Sequence, residues 1–280
     1  MPLIRLLAAL PLPLLHAAGT LLGWAVYALS PTYRRQLRQN LSQAGYRDAA
    51  TRRAAIASAG KGLLELPAIW LRPRADVVRW VRRIDGEALI EAARAQGLGI
   101  VFLTPHQGCF EITAKLAAER FPITALYRPP KLGFVQALID AGRAGPNLRL
   151  ATPDYAGVRE LLGALKRKEA VGVLPDQVPS EGEGEWVEFF GRPAYTMTLA
   201  ARLARRPGSV TLLAFGERLP RGEGYVVHLR SLPAALPGES DARRVNRALE
   251  QLVRECPQQY LWGYNRYKRP RGAPPPAALG

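Results

Sequence analysis

The chain has 280 residues, of which 48% are hydrophobic and 22% are charged, and this composition excludes a chain that is disordered from end to end. Lys and Arg number 39 against 23 Asp and Glu, so the formal net charge is +16, which favours anionic partners such as a membrane surface, phosphorylated lipid, an acidic carrier protein or nucleic acid. The only two cysteines, Cys109 and Cys256, exclude a disulfide framework and favour a reducing, intracellular compartment.

An apolar segment near the N-terminus is predicted to attach the protein to a membrane. Residues 3–29 are nearly all apolar, and Pro13 suits the first turn of a helix, so the predicted helix covers residues 14–29. Its 16 residues fall short of the roughly 20 needed to cross a bilayer, which leaves a shallow or tilted helix and a full span equally open. A cleaved signal peptide and a buried core helix are weaker alternatives. Residues 1–34 are therefore predicted to be an anchor, and the arginines among residues 34–38 place the rest of the chain on the cytoplasmic side.

Residues 35–267 are predicted to form one α/β domain. Up to about residue 95 the apolar positions recur at helical spacing, and from Gly97 short apolar runs alternate with helical stretches. This alternation predicts a mixed sheet with helices packed on its faces. The predicted strands are 100–103, 123–127, 171–174, 210–215 and 225–229, and the predicted helices are 54–71, 88–95, 108–119, 131–143, 156–168, 194–205 and 242–254.

Two segments are predicted to lack regular structure. Residues 178–188 contain three glutamates alternating with glycines, which indicates a flexible acidic loop. The last thirteen residues, 268–280, are rich in proline and glycine and are predicted to be a disordered tail.

Several enzyme classes are poorly supported because their motifs are absent from the sequence. It contains no Gly-x-Ser-x-Gly elbow, no phosphate-binding Gly-x4-Gly-Lys-Ser/Thr loop, no His-Glu-x-x-His and no Cys-x-x-Cys. These absences argue against a serine hydrolase, a P-loop enzyme and a zinc enzyme.

The strongest candidate for catalysis is a histidine followed five residues later by a glutamate. The block Thr104-Pro105-His106-Gln107-Gly108-Cys109-Phe110-Glu111 comes directly after the predicted strand 100–103. Five residues along one helix correspond to about 500° of rotation, so the two side chains meet only if His106 lies in a turn and Glu111 in the first turn of the next helix. Glu111 would then orient the imidazole, His106 would act as a general base for a hydroxyl, and backbone N–H groups at the helix start would stabilise an oxyanion.

This spacing is weak support by itself, but its position strengthens it. Ligands of open α/β sheets collect at the carboxyl ends of strands, which is where His106 is predicted to lie. Cys109 is predicted to be a packing residue inside an apolar helix and not a nucleophile. His16 and His228 have no acid at the matching spacing and are predicted to be a membrane-segment residue and a strand residue.

Five blocks of the sequence occur in an order that resembles the late acyltransferases of lipid A biosynthesis. These lauroyl and myristoyl transferases belong to the wider lysophospholipid acyltransferase superfamily. The blocks are the His-x4-Glu block, Tyr127-Arg128-Pro129, Leu174-Pro175-Asp176-Gln177, Phe189-Phe190-Gly191-Arg192-Pro193-Ala194 with Thr196 and Thr198, and Gln259-Tyr260-Leu261-Trp262 before Arg266-Tyr267-Lys268. The resemblance covers most of the chain, including the apolar N-terminus.

The resemblance implies an α/β acyltransferase at the inner membrane, on its cytoplasmic face. It would transfer a fatty acyl chain from acyl carrier protein to a hydroxyl of a lipid A precursor, without metal, cofactor or covalent enzyme intermediate. His106 and Glu111 match the catalytic pair. The substrate-binding residues would be Arg128, Lys131, Arg143 and Asp176; surface charge for the three basic residues and a turn position for Asp176 are the structural alternatives. We expect a monomer that binds no nucleic acid.

Two departures from the family pattern concern the acceptor. This chain has Tyr264-Asn265 where the family usually has a His-Arg or similar pair, and the loop after Asp176 is short and acidic. A lysophospholipid or another membrane lipid therefore stays an alternative acceptor. The rival from another class is a non-catalytic basic protein that binds a membrane or nucleic acid, which only the net charge supports.

Overall fold

A mixed β-sheet forms the centre of the protein. The structure is a computed structural model that describes residues 2–129, 136, 139, 142 and 145–276. The strands are β1 (Val81–Asp85), β2 (Gly99–Leu103), β3 (Ile123–Leu126), β4 (Leu148–Ala151), β5 (Ala170–Val173), β6 (Gly184–Phe189), β7 (Arg192–Met197), β8 (Ser209–Arg218) and β9 (Tyr225–Ser231). Among the described residues, seven of them form one sheet in the order β1-β9-β8-β2-β5-β3-β4, and β6 and β7 form a separate antiparallel hairpin.

Helices cover both faces of the sheet, which confirms the predicted α/β class. They are α1 (Pro2–Ala9), α2 (Leu12–Leu29), α3 (Pro31–Gln43), α4 (Ala49–Leu71), α5 (Arg74–Val78), α6 (Ala88–Ala95), α7 (Phe110–Arg120), α8 (Tyr155–Lys166), α9 (Thr198–Ala204) and α10 (Asp241–Glu255). Side-chain oxygens of Ser30, Asp48, Asp154 and Ser240 accept backbone N–H bonds at the starts of α3, α4, α8 and α10. Such caps explain where these helices begin.

Strand β2 lies at the centre of the sheet, between β8 and β5, and pairs parallel with both. All five of its residues are buried. Val101 and Leu103 pack in the core beside α8, α9 and α10, whereas Ile100 and Phe102 pack in the core beside α5, α6 and α7. A strand covered on both faces reads as a continuous apolar run, which is why the sequence predicted it correctly.

The predicted membrane anchor is docked on the domain through a close contact between α2 and α4. A Cβ atom added to Gly60 would collide with the backbone of Gly19, and one added to Gly23 would collide with the backbone of Ile56. Small residues let two helix backbones approach in this way, as they do in membrane proteins. The opposite side of α2 exposes apolar side chains, among them Leu21. By length and composition, both α2 and α4 suffice to cross a membrane.

The hairpin of β6 and β7 corrects two predictions from the sequence. The predicted acidic loop 178–188 includes the start of β6, and the predicted helix 194–205 begins only at Thr198 because its first residues belong to β7. The half-buried β6 strand contains Glu185, one of the three glutamates that indicated a loop. The strand is recognisable only from its pairing with β7, in which Trp186 lies opposite Tyr195.

Two unpredicted strands, the predicted helix 131–143 and the predicted C-terminal tail complete the list of differences. Strands β1 and β4 were not predicted, because exposed arginines interrupt their apolar patterns, two in β1 and one in β4. The predicted helix 131–143 falls largely outside the described residues. In the described part of the predicted tail, Ala273 is buried and Trp186 Nε1 donates a hydrogen bond to the Pro274 carbonyl, so this part packs against the domain.

The α2–α4 contact makes a specific prediction about stability. We expect Gly60→Ala to lower the free energy of unfolding by about 1–3 kcal/mol, because the new methyl group has backbone on its far side that cannot move away. Gly163→Ala is the matched control: Gly163 also lies in a helix, but its Cβ would meet only the end of the flexible Arg167 side chain. Thermal unfolding in detergent should show a lower midpoint for Gly60→Ala and an unchanged or higher one for Gly163→Ala. Equal midpoints would contradict the close packing of the two helices.

Candidate active site

The imidazole of His106 is hydrogen-bonded to the carboxylate of Asp176. His106 lies three residues after β2 and Asp176 three residues after β5, and these two strands pair parallel with Leu103 opposite Val173. The two loops therefore reach the same edge of the sheet. His106 Nδ1 lies 2.8 Å from Asp176 Oδ1, and the backbone N–H of His106 donates to Asp176 Oδ2 at 2.8 Å. Because a carboxylate only accepts, Nδ1 carries a proton, and in the neutral imidazole Nε2 is left as the acceptor.

Asp176 is buried and its environment favours the ionised form. Burial is the largest influence on its pKa and raises it, but the charge and hydrogen bonds of His106, with the nearby charge of Arg266, outweigh burial and hold the pKa below its usual value. Buried Tyr260 lies beside this carboxylate, and burial followed by the charge of Asp176 raises the pKa of its phenol. A fixed carboxylate at Nδ1 holds the imidazole in one orientation and one tautomer.

Glu111 lies in the first turn of α7, and His106 lies in the turn before that helix, as the sequence predicted. The Glu111 side chain is buried, and it lines the same cavity as His106. Asp176, which the family resemblance placed among the substrate-binding residues, is the acid that contacts Nδ1 of the imidazole. Sequence spacing alone did not find this contact because the two residues are 70 positions apart. The available signal was that Asp176, like His106, directly follows a predicted apolar strand.

Hydrogen bonds from other elements fix the loop that carries His106. The His106 carbonyl accepts from the Leu261 N–H at 2.9 Å, and the Gly108 N–H donates to the Gln259 carbonyl at 2.9 Å. Gly108 has a φ of 58°, and a Cβ atom there would collide with the Gly216 carbonyl. Only glycine fits this left-handed and crowded position. The C-terminal block of the family resemblance thus supports the His106 loop.

His106 lies at the boundary of two cavities. One, of about 320 Å³, lies between α2, α4 and the His106 loop. Its lining is mostly apolar and includes Leu22, Val26, Leu63 and Leu66. The other, of about 230 Å³, lies beyond the ends of β3 and β5. Its lining includes Tyr127, Arg128, Gln177 and Met197. An imidazole at this boundary can reach groups that enter from either cavity.

Of the three basic residues predicted to bind substrate, the structure describes only Arg128. Arg128 lines the second cavity with a largely exposed side chain, which lies 3.7 Å from a Glu183 carboxylate oxygen. Lys131 and Arg143 fall outside the described residues. Gln177 was not predicted as a site residue, yet its Nε2 lies 3.1 Å from Nε2 of His106. Its amide N–H therefore donates to the nitrogen that a general base would use.

Cys109 was predicted to lie inside a helix, but the structure places it at the N-cap of α7. Its burial and its protonated thiol still fit the predicted packing role. It is fully buried, and burial, with the charge of Glu65 as the next cause, raises the pKa of its thiol well above the usual value. A thiol kept protonated is a poor nucleophile.

The other two histidines do have acidic partners, which come from distant parts of the chain. His16 Nε2 lies 3.0 Å from Glu65 Oε2. His228 contacts Asp85 through Nδ1 at 3.1 Å and Glu217 through Nε2 at 2.8 Å. Sequence spacing could not reveal these pairs, because tertiary contacts create them.

Comparison with known proteins decides the family. A family model described as bacterial lipid A biosynthesis acyltransferase matches residues 2–269, nearly the whole chain. The chain belongs to this family. The chain is 29% identical over 222 residues to the lipid A biosynthesis lauroyltransferase of Escherichia coli (strain K12), covering 78% of this chain and 72% of the relative. It is 25% identical over 272 residues to the lipid A biosynthesis palmitoleoyltransferase of the same strain, covering 94% and 88%. The resemblance drawn from the sequence blocks is confirmed, and the protein is an acyltransferase of lipid A biosynthesis.

The two hydrogen bonds to Asp176 predict the outcome of Asp176→Asn. The backbone N–H of His106 needs an oxygen, so the asparagine NH₂ group would face Nδ1 and force the imidazole proton onto Nε2. An imidazole in that tautomer cannot accept a proton at Nε2. We expect acyl transfer to fall by at least about 10²-fold, since a general base contributes about 10²–10⁴-fold.

Asp154→Asn is the matched control for this substitution. Asp154 caps α8 by accepting from the Gly157 N–H, and asparagine caps a helix equally well. Activity and melting temperature of this variant should equal those of wild type. Normal transfer by a folded Asp176→Asn enzyme would contradict the assignment of Asp176 as the partner of the imidazole.

Proposed function

We propose that this enzyme moves a fatty acyl chain from acyl carrier protein directly to a hydroxyl of a lipid A precursor, with His106 as the general base. The observation that supports this proposal most is the position of His106. Its Nδ1 is bound to a buried carboxylate, and its ring lies where an apolar cavity meets a cavity that contains an arginine. A base at that boundary can act on a hydroxyl from one side and an acyl thioester from the other.

The reaction needs only a base and a site for the developing negative charge, because the thioester is already activated. The acceptor hydroxyl gives its proton to Nε2 of His106 while its oxygen attacks the thioester carbonyl carbon. The tetrahedral intermediate then collapses, the C–S bond breaks, and the carrier sulfur takes the proton from Nε2. Asp176 and Glu111 stabilise the imidazolium between these steps, and the start of α7 stabilises the oxyanion. Gln177 releases Nε2 when the hydroxyl arrives.

The lining of each cavity supports an assignment of its occupant. The 320 Å³ cavity takes the hydrocarbon chain of the donor, since burial of apolar surface favours binding there. The second cavity takes the polar head of the acceptor, where Arg128 binds a sugar phosphate with two parallel hydrogen bonds. The ion pair of Arg128 with Glu183 is exposed, so a phosphate replaces it at little cost. The family resemblance assigns Lys131 and Arg143 to the same task.

The surface of the protein supports the proposed partners and location. A net charge of +16 attracts both an acidic carrier protein and an anionic membrane. The exposed apolar side chains Leu21 and Leu29 of α2 would enter the lipid, and the arginines that follow would stay on the cytoplasmic face of the inner membrane. We propose that the enzyme acts there as a monomer.

The catalytic assignment is tested by substitution of the proposed pair. We expect His106→Ala to lose about 10²–10⁴-fold of transfer while it stays folded. Glu111→Ala should also be severe, and the double variant little worse than either single one, because the two residues act as a unit. Glu111→Gln should lie between wild type and Glu111→Ala, since it keeps a polar group but loses the charge.

The assay follows a radiolabelled acyl group from acyl carrier protein to lipid A precursor, with lysophospholipid as a second acceptor. Near-normal transfer by folded His106→Ala protein would falsify the mechanism. Transfer to lysophospholipid alone would replace the proposed acceptor and leave the mechanism standing.

The role of Arg128 makes a separate prediction about kinetics. We expect Arg128→Ala to raise the KM for the phosphorylated acceptor about 10–100-fold, because a hydrogen bond to a charged group contributes about 1.5–3 kcal/mol. The KM for the donor should not change. Arg149→Ala is the matched control, since Arg149 is another largely exposed arginine paired with a carboxylate, that of Glu169. Equal acceptor KM values for the two variants would show that Arg128 does not bind the acceptor and is an ordinary surface charge.

A further inference from the structure

A buried polar network joins the N-terminal helix to the domain. Its centre is Glu65 on α4, whose side chain is almost completely buried. His16 on α2 contacts Glu65 Oε2 at 3.0 Å, and the hydroxyl of Tyr225 donates to the same oxygen at 3.0 Å. Arg218, at the end of β8, donates through Nε and Nη2 to the Glu65 carboxylate at 2.6–2.9 Å. Groups from α2, β8 and β9 therefore meet at one carboxylate of α4.

The same network reaches the loop that carries His106. Arg218 Nη2 also donates to the Gly108 carbonyl at 2.7 Å, two residues after His106 and directly before the N-cap of α7. The Gln259 side chain bonds both backbone groups of Arg218, at 2.8 and 2.9 Å, and the Gln259 carbonyl accepts from the Gly108 N–H. Both backbone groups of Gly108 are thus fixed by groups that belong to or contact this network.

Stability alone does not explain why this network is ionic. Moving charges out of water is costly, and well-packed apolar residues of similar volume often stabilise a protein as well as a buried ion pair does. An ionic network does give fixed geometry, because a guanidinium donates in set directions. The geometry that this one fixes is that of the Gly108 carbonyl, and a small misplacement of a catalytic group is enough to cost about 10²-fold in rate.

We propose that His16, Glu65 and Arg218 are positioning residues for acyl transfer, and that α2 is a part of the active site in addition to being an anchor. The inference rests on the proposed function for its activity readout. Helix α2 also contributes Leu22 and Val26 to the wall of the cavity that His106 lines. The close approach of Gly19 and Gly23 on α2 to the backbone of α4 fixes the distance between the two helices, and with it the distance from His16 to Glu65. The position of α2 therefore affects the position of the loop that carries His106, through the contacts of Glu65 and Arg218.

The first test replaces the network with apolar residues of similar size, in the full-length chain. The triple variant His16→Leu, Glu65→Leu, Arg218→Met leaves no unpaired buried charge, but the Tyr225 hydroxyl and the Gly108 carbonyl each lose a partner, so we expect a folded protein whose melting temperature lies a few degrees below that of wild type. We expect its kcat at saturating substrates to fall at least about tenfold, with the acceptor KM unchanged. A folded triple variant with the wild-type kcat would overturn the proposal.

The second test uses a single substitution, which decides the matter if the triple variant does not fold. His16→Ala leaves the Glu65–Arg218 pair in place, and Leu14→Ala on the exposed side of the same helix is its control. Hydrogen exchange followed by mass spectrometry should show faster exchange in residues 104–109 for His16→Ala only, together with a lower kcat. Identical exchange and kcat in the two variants would overturn the proposal. If wild type transfers no acyl group, the proposed function fails, and the exchange measurement still decides whether α2 and the loop are coupled.

Discussion

Because β2 and β5 lie side by side and run in the same direction, the residues that follow them arrive at one edge of the sheet. This pairing brings His106 to Asp176, although 70 positions with two described helices and two further described strands separate the two residues in the sequence. The rest of the site is arranged around that contact. Helix α7 starts next to His106 and carries Glu111, and the two cavities meet at the imidazole. The proposed catalytic site thus depends on the parallel pairing of β2 and β5.

The apolar N-terminal helices and the α/β domain form one packed structure. Backbone contact between α2 and α4 leaves no room for side chains, so the two helices have one relative position. The apolar cavity lies in the angle between these helices and the His106 loop. A hydrocarbon chain that entered it would lie against helices whose outer sides are themselves apolar. This arrangement suits the proposed role of α2 as a wall of the active site in addition to a membrane anchor.

The sequence predicted those elements whose pattern is determined by burial on both faces, such as β2 and β5. It did not predict the β6–β7 hairpin, because a half-exposed strand with glutamates is distinguishable from a loop only through its partner strand. Motif order was sufficient for the family and for the placement of His106 and Glu111. The contacts of Asp176 with His106 and of His16 with Glu65 could not be predicted, since both join residues separated by dozens of positions and exist only after the sheet and the helix pair have formed.

The most direct test of the account is a structure of the enzyme with a non-reactive acyl carrier thioester analogue and the acceptor lipid bound together. The account predicts the acceptor hydroxyl within about 3 Å of Nε2 of His106, with the Gln177 amide displaced from that nitrogen. It also predicts the acyl chain in the cavity lined by Leu22 and Leu63. An acceptor hydroxyl bound away from His106, or an acyl chain outside that cavity, would contradict it.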